Sequence, residues 1–195
     1  TEDDDATGNP ILGSYIKPVE VNFITEPYVA KIGDKNYTSL EKAVAAAQAG
    51  ETVEIFAGTF SQNLDINKAI TVVGERDDNN NNLVTFNGKL NITADGATAK
   101  NLNVNNGSST AGYIYAKNVL VEGCNVTGGN GFRYCYTAGT VTFRNSKITG
   151  ATYGIHFDGN AGGDIVIDNC EITGWTSFAS TITNVAITNT DFLNG

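Results

Sequence analysis

Phe143-Arg144-Asn145-Ser146-Lys147-Ile148-Thr149-Gly150 and Ile167-Asp168-Asn169-Cys170-Glu171-Ile172-Thr173-Gly174 are one phrase written twice. Upstream, Val121 to Gly128 and Ala99 to Asn106 repeat it, and downstream so does Ile187 to Asn194. The copies begin at 99, 121, 143, 167 and 187, so the steps are 22, 22, 24 and 20 residues. A period in the low twenties with strand-like content is the mark of a stacked solenoid. Two less regular copies precede these, near Val53–Phe60 and Ile70–Gly74.

The columns of the alignment say what kind of solenoid it is. Val119, Val141, Ile165 and Val185 form one apolar column, and Val121, Phe143, Ile167 and Ile187 a second. Within each copy these two positions are separated by one residue, so on a strand both point to the same side. Val126, Ile148, Ile172 and Phe192 make a third column. Asn101, Asn145, Asn169 and Asn189 share a turn position, with Gly123 substituting once. Asn and Gly tolerate the left-handed backbone, and stacked Asn side chains hydrogen-bond from coil to coil. A second column of such residues is expected at Asn106, Gly128, Gly150, Gly174 and Asn194. A third segment aligns Tyr113, Phe132, Ile155 and Phe178, and also Tyr115, Tyr134, Phe157 and Ser180, as inward stacks or as a sugar platform, with core packing favoured. The pattern predicts an all-β, parallel β-helix of about seven coils.

The N-terminal part reads differently. Residues 1–18 read as a tail or linker, and Glu2-Asp3-Asp4-Asp5 as solvated. Residues 19–195 read as one domain, beginning with a strand at Val19, Val21 and Phe23 and a hairpin from Tyr28 to Tyr37 turning at Gly33-Asp34-Lys35. One amphipathic helix is predicted over about residues 39–48. Thr38-Ser39-Leu40-Glu41 reads as a capping box with Thr38 at the N-cap. Leu40, Ala43, Val44 and Ala47 supply the apolar stripe, and Gly50 is the expected stop. The helix is expected to lie over the open end of the core. The other end, at Phe192-Leu193-Asn194, shows no polar cap, which favours further coils, truncation or a contact.

Acidic residues number 21 against 12 basic, giving a net charge of −9. A polyanion is repelled by such a field, so nucleic acid is not an expected partner. No run of about 18 apolar residues offers a membrane span, and no signal peptide is evident. Three cysteines without a CxxC argue against a disulfide scaffold or a zinc site. Cys124 and Cys170 share an inward column with Ser146 between them, so two buried thiols are expected; Cys135 has no evident partner.

These repeats, with Val29 to Gly33, Tyr37 to Leu40, Ala43 to Ala47, Gly50 to Ile55 and Ala57 to Phe60 ahead of them, resemble the right-handed parallel β-helix superfamily of pectate-lyase-like proteins. The nearest likeness is to bacterial secreted and cell-surface members. The resemblance covers about Tyr28 to Gly195 and implies a fold, not an activity. It implies that enzymes of this type act on acidic polysaccharide, with outward carboxylates holding calcium and an Arg or Lys as base. Glu122, Arg144 and Asp168 are the residues that would do this, on the outward column Lys100, Glu122, Arg144, Asp168, Thr188. The alternating signs instead fit a cross-strand ion-pair ladder, the favoured reading. Of the polygalacturonase-type motifs only Asn189-Thr190-Asp191 is present, where the repeat already requires Asn189.

Arg133, His156 and Asp158 form the most concentrated polar cluster, with His156, the sole histidine, read as solvated. The loop Glu75 to Asn82 carries Asp77 and Asp78, oxygen ligands of the kind calcium takes, although a disordered excursion is the favoured reading. No other cofactor is expected. A non-catalytic secreted or cell-surface module for adhesion or carbohydrate contact fits best, its partner a polysaccharide or cell-surface glycan. A polysaccharide lyase or glycosidase, and a structural spacer in a larger surface assembly, are the alternatives.

Overall fold

The computed structural model describes residues 26–134, 138–158 and 162–194. The tail, the strand read at Val19 to Phe23 and Cys135 lie outside them. The chain enters through an antiparallel hairpin, β1 (Ala30–Ile32) and β2 (Lys35–Tyr37), followed by α1 (Leu40–Ala46). Coil one is β3 (Thr52–Ile55), β4 (Gly58–Phe60) and β5 (Leu64–Ile66). Coil two is β6 (Thr71–Gly74), β7 (Val84–Asn87) and β8 (Leu90–Ile92). Coil three is β9 (Thr98–Lys100), β10 (Asn103–Asn105) and β11 (Thr110–Ile114). Coils four to six are pairs whose second strand bends around a corner: β12 (Val119–Glu122) with β13 (Asn125–Tyr134), β14 (Thr140–Arg144) with β15 (Lys147–Phe157), and β16 (Gly163–Asp168) with β17 (Glu171–Ser177). β18 (Ile182–Thr188) and β19 (Asp191–Leu193) begin a seventh. The result is a right-handed parallel β-helix of six turns and a partial seventh.

The first wall runs β3, β6, β9, β12, β14, β16, β18, parallel throughout, and β1 extends it antiparallel to β3. The second wall runs β4, β7, β10, β13, β15, β17, β19, and the third is β5, β8, β11 and the distal halves of β13, β15 and β17. Pairing sets like residues over like. Val53, Val72, Ala99, Val121, Phe143, Ile167 and Ile187 are in register down the first wall. Phe86, Val104, Val126, Ile148, Ile172 and Phe192 are in register down the second. All but the last residue of each column is buried in one continuous core. In coil seven Ile187 and Phe192 are 41% and 46% exposed, no further coil among the described residues covering them.

The Asn turn is as the repeat requires. Asn101, Asn145, Asn169 and Asn189 have φ between 48° and 57°, and Gly123 takes their place at 63°. Asn169 Nδ2 donates to Asn145 Oδ1 at 2.8 Å, one rung of the ladder. Gly123 is a deliberate exception. A Cβ there would meet the Arg76 guanidinium and lie 2.6 Å from Asn101 Oδ1. Arg76 Nη2 and Asn82 Nδ2 both donate to the Gly123 carbonyl, at 3.3 and 2.8 Å, and Arg76 Nε donates to Asn82 Oδ1 at 2.9 Å. The loop from Glu75 to Asn82 is therefore not a disordered excursion. It closes on itself by an antiparallel bridge, Arg76 to Asn82, and leans across the turn column.

Four further expectations are corrected. The N-cap is Ser39, not Thr38: Ser39 is extended and its Oγ accepts from Lys42 N at 3.3 Å while donating to Glu41 at 2.6 Å. Gly50, at φ +86°, sits in the turn after the helix; the helix stops at Ala46, with Ala47 extended. Lys68 Nζ then takes up the terminal carbonyls, Ala45 O at 2.5 Å and Ala47 O at 2.9 Å, as a cation suits a helix C-terminus. Only Gly174 and Asn194 of the expected second αL column have positive φ. Gly128 and Gly150 are needed for a different reason. Each lies where the strand bends, and a Cβ on Gly150 would run into the Tyr153 carbonyl.

The fourth correction concerns the third wall. Phe132, Tyr134, Ile155 and Phe157 do point inward and are buried. Their partners in coil three are Gly112 and Ile114, not Tyr113 and Tyr115. A slip of one residue turns every side chain to the other face. The slip is forced by volume, since a Cβ on Gly112 would occupy the Phe132 ring. Phe178 and Ser180 likewise miss their expected register, which Thr176 takes beside Ile155.

Candidate functional site

The outward faces differ sharply in chemistry. On the first wall Lys100, Glu122, Arg144, Asp168 and Thr188 are in register. Lys100 Nζ meets Glu122 at 2.8 Å and Arg144 Nε meets Asp168 at 3.4 Å. Thr188 Oγ1 donates to Asp168 Oδ1 at 2.7 Å; this bond first, then Asn189 and Arg144, holds the Asp168 carboxyl below the usual range. Lys31 and Glu54 extend the pattern at the N-terminal end, 3.0 Å apart. The three residues that would serve a lyase are thus each held in an ion pair, Glu122 with Lys100 and Arg144 with Asp168.

Asp77 is committed to its own loop. Its carboxylate accepts from the Asn79 and Asn81 backbone at 2.9 and 2.7 Å and from Asn81 Nδ2 at 2.8 Å. These bonds, that from the Asn81 side chain foremost, hold its carboxyl below the usual range. Asp78 lies beside it, exposed. Among the described residues no three His, Cys, Asp or Glu side chains converge as metal ligands.

Cys124 and Cys170 are buried thiols in one column with Ser146, whose Oγ accepts from Cys124 N at 3.1 Å. Burial pushes the Cys124 thiol up to about 11, and the Cys170 thiol up also.

The third wall brings the polar cluster together. Its outward column is Asp65, Asn91, Tyr113, Arg133, His156 and Ser177, one residue from each of coils one to six. Arg133 Nη2 donates to Asp158 Oδ2 at 3.1 Å. His156 is half-buried rather than solvated. Its Nδ1 shares a 2.8 Å hydrogen bond with Ser177 Oγ, and its ring lies 4.5 Å from that of Tyr153. A flanking column of Asn130, Tyr153 and Trp175 follows the bend of the strands. Trp175 meets Tyr153 edge-on at 6.4 Å. At the other end Tyr113 and Tyr115 stand nearly parallel, centroids 5.9 Å apart, with Lys89 Nζ 5.4 Å from the Tyr113 ring centre.

The sequence marks Arg133, His156 and Asp158 as a polar cluster and offers Tyr113 and Tyr115 as an inward stack or a sugar platform, with the core favoured; Tyr153, Trp175 and Ser177 stand in neither reading. Gly112 held the missed signal: it leaves no side chain opposite Phe132, so the bulky pair beside it must face out.

No family model matches the chain, and no curated protein matches it. Among solved structures it is similar to the pectin methylesterase from Aspergillus niger. A penultimately deglycosylated form, with an N-acetylglucosamine stub, superposes with a TM-score of 0.53 at 19% identity over 82% of this chain and 83% of that one. The deglycosylated form gives 0.53 at 17% identity over the same shares. At these identities the likeness is one of fold. The chain shares with them the right-handed parallel β-helix fold.

Proposed function

We propose that this chain is a non-catalytic secreted or cell-surface module that contacts carbohydrate through the outward face of its third wall. One observation carries the reading: rings and hydrogen-bonding groups from coils three to six line up on a single face. Ring faces stack on the C–H face of a sugar while neighbouring polar groups take its hydroxyls, the mix that ligand sites use. The carboxylates of the face argue against hydrolysis. Asp65 on coil one and Asp158 on coil five are four strand spacings apart, about 19 Å. Glycosidases place their two carboxyls about 5–9.5 Å apart. Asp158 is also ion-paired to Arg133.

The pectin methylesterase neighbours act on a polysaccharide, which supports carbohydrate as the ligand class. The glycan stub on one supports an extracellular setting for this fold. No helix among the described residues is long and apolar enough to cross a membrane.

A glycan array run beside a product assay on polygalacturonate tests the proposal. Binding without turnover is expected. Product that disappears on Arg144→Ala would overturn it in favour of a lyase, and silence in both assays would leave the structural spacer.

A further inference from the structure

We infer that the ligand is an uncharged linear oligosaccharide longer than a disaccharide, laid along the solenoid axis and stacked at its two ends on Tyr113 and Trp175. This rests on the carbohydrate reading above and adds the ligand's charge, length and direction.

The direction follows from the coils. Tyr113 is on coil three and Trp175 on coil six, three strand spacings apart, about 14 Å. No single sugar ring covers that distance. Parallel pairing sets Arg133, His156 and Ser177 in register with Tyr113, and Trp175, two residues before Ser177, stands beside that line on the flanking column of Asn130 and Tyr153. Their side chains are held by Asp158 and Ser177, so they present donors and acceptors at set positions without reorganising.

The two ends are built for stacking. Trp175 is 62% exposed, the most open large apolar side chain among the described residues. It borders two hollows, one of about 270 Å³ shared with Thr152 and Tyr153, the other of about 410 Å³ shared with Phe178 and with Ile187 and Phe192 of coil seven. The indole therefore has open space beside it for a ring, and it meets Tyr153 edge-on. Tyr113 is backed by Tyr115.

Charge decides the ligand class. Lys89 and Arg133 on this face are matched by Asp65 and Asp158, so the face has no cationic excess. The chain as a whole carries −9. A polyuronate gains nothing from the face and is opposed by the field. A neutral chain bound by ring stacking and hydroxyl contacts meets neither penalty.

Calorimetric titration with cello- and xylo-oligosaccharides of increasing length, beside galacturonate oligomers of the same lengths, tests this. Affinity for the uncharged series should rise about tenfold from the disaccharide to the tetrasaccharide, then level off. Trp175→Ala should abolish that rise and Trp175→Phe restore part of it; the exposure of Trp175 makes unfolding no explanation, and circular dichroism checks it. Tighter binding of galacturonate at low salt, or a length dependence that survives Trp175→Ala, would overturn the inference while leaving carbohydrate contact standing. Binding of neither series, with the glycan array also blank, would sink the parent reading and this one together.

Discussion

Gly123 interrupts an otherwise regular Asn column, and the repeat alone argues for replacing it with Asn. Its φ of 63° suits Asn, and the residue it would stack on, Asn101, is in place. The structure predicts the opposite outcome. The space is taken by the Arg76 guanidinium, which with Asn82 anchors the loop to the Gly123 carbonyl. A side chain at 123 displaces Arg76 and weakens its two bonds, to the Gly123 carbonyl and to Asn82, and with them the hold of Asn82 on that carbonyl. The net value of such bonds in a partly exposed setting is about 1 kcal/mol each, so Gly123→Asn should destabilise by about 1–2 kcal/mol. In an Arg76→Ala background the slot is empty, and the same change should be neutral or stabilising by about 0.5 kcal/mol as the column is completed. Urea unfolding of the four proteins in the double-mutant cycle measures both. Equal stabilisation by Gly123→Asn in the two backgrounds would refute the anchoring role of Arg76.

The remaining predictions concern the core, the thiols and the charge ladder. Phe143→Ala removes a fully buried ring that meets Phe132 edge-on at 5.1 Å, and should cost about 3–5 kcal/mol in denaturant unfolding. Because the folded Cys124 thiol sits at about 11, above its usual 9.0, the stability it confers is complete below pH 9 and is lost as pH rises through 11, about 2–3 kcal/mol in all. Cys124→Ala should flatten that alkaline limb, and native protein at pH 8 should leave Cys124 unreacted with a thiol reagent until unfolded. Arg144→Ala breaks a surface ion pair and should cost less than about 1 kcal/mol without changing glycan binding.

The repeats made the architecture readable because a parallel solenoid writes its contacts in one period. The columns through Val121 and Phe143, the Asn turn and the helix over the N-terminal end all follow from side-chain type at fixed offset. Legibility failed where the period is broken by bends rather than by composition. Gly128 and Gly150 look like turn residues in sequence, yet they act by letting a strand fold past its own carbonyl. Tyr113 looks like the partner of Phe132 when the copies are aligned by aromatic type, and only the missing volume at Gly112 shows that it faces out. The site suffered most from this, since its rings belong to the misaligned segment. The Arg133, His156 and Asp158 cluster was visible because charged residues declare their own face. The capping residue was misplaced by one because Thr38 and Ser39 are chemically alike, and backbone geometry alone separates them.

The most direct test of the account compares the two outward faces in one assay. Affinity electrophoresis in gels carrying neutral β-linked polysaccharide would be run with the native chain, with Tyr113, His156 and Trp175 all changed to Ala, and with Glu122, Arg144 and Asp168 all changed to Ala. Retardation of the native chain, its loss in the third-wall variant and its retention in the first-wall variant are expected. Retardation kept by the third-wall variant and lost by the first-wall variant would place the ligand on the charge ladder and contradict the account.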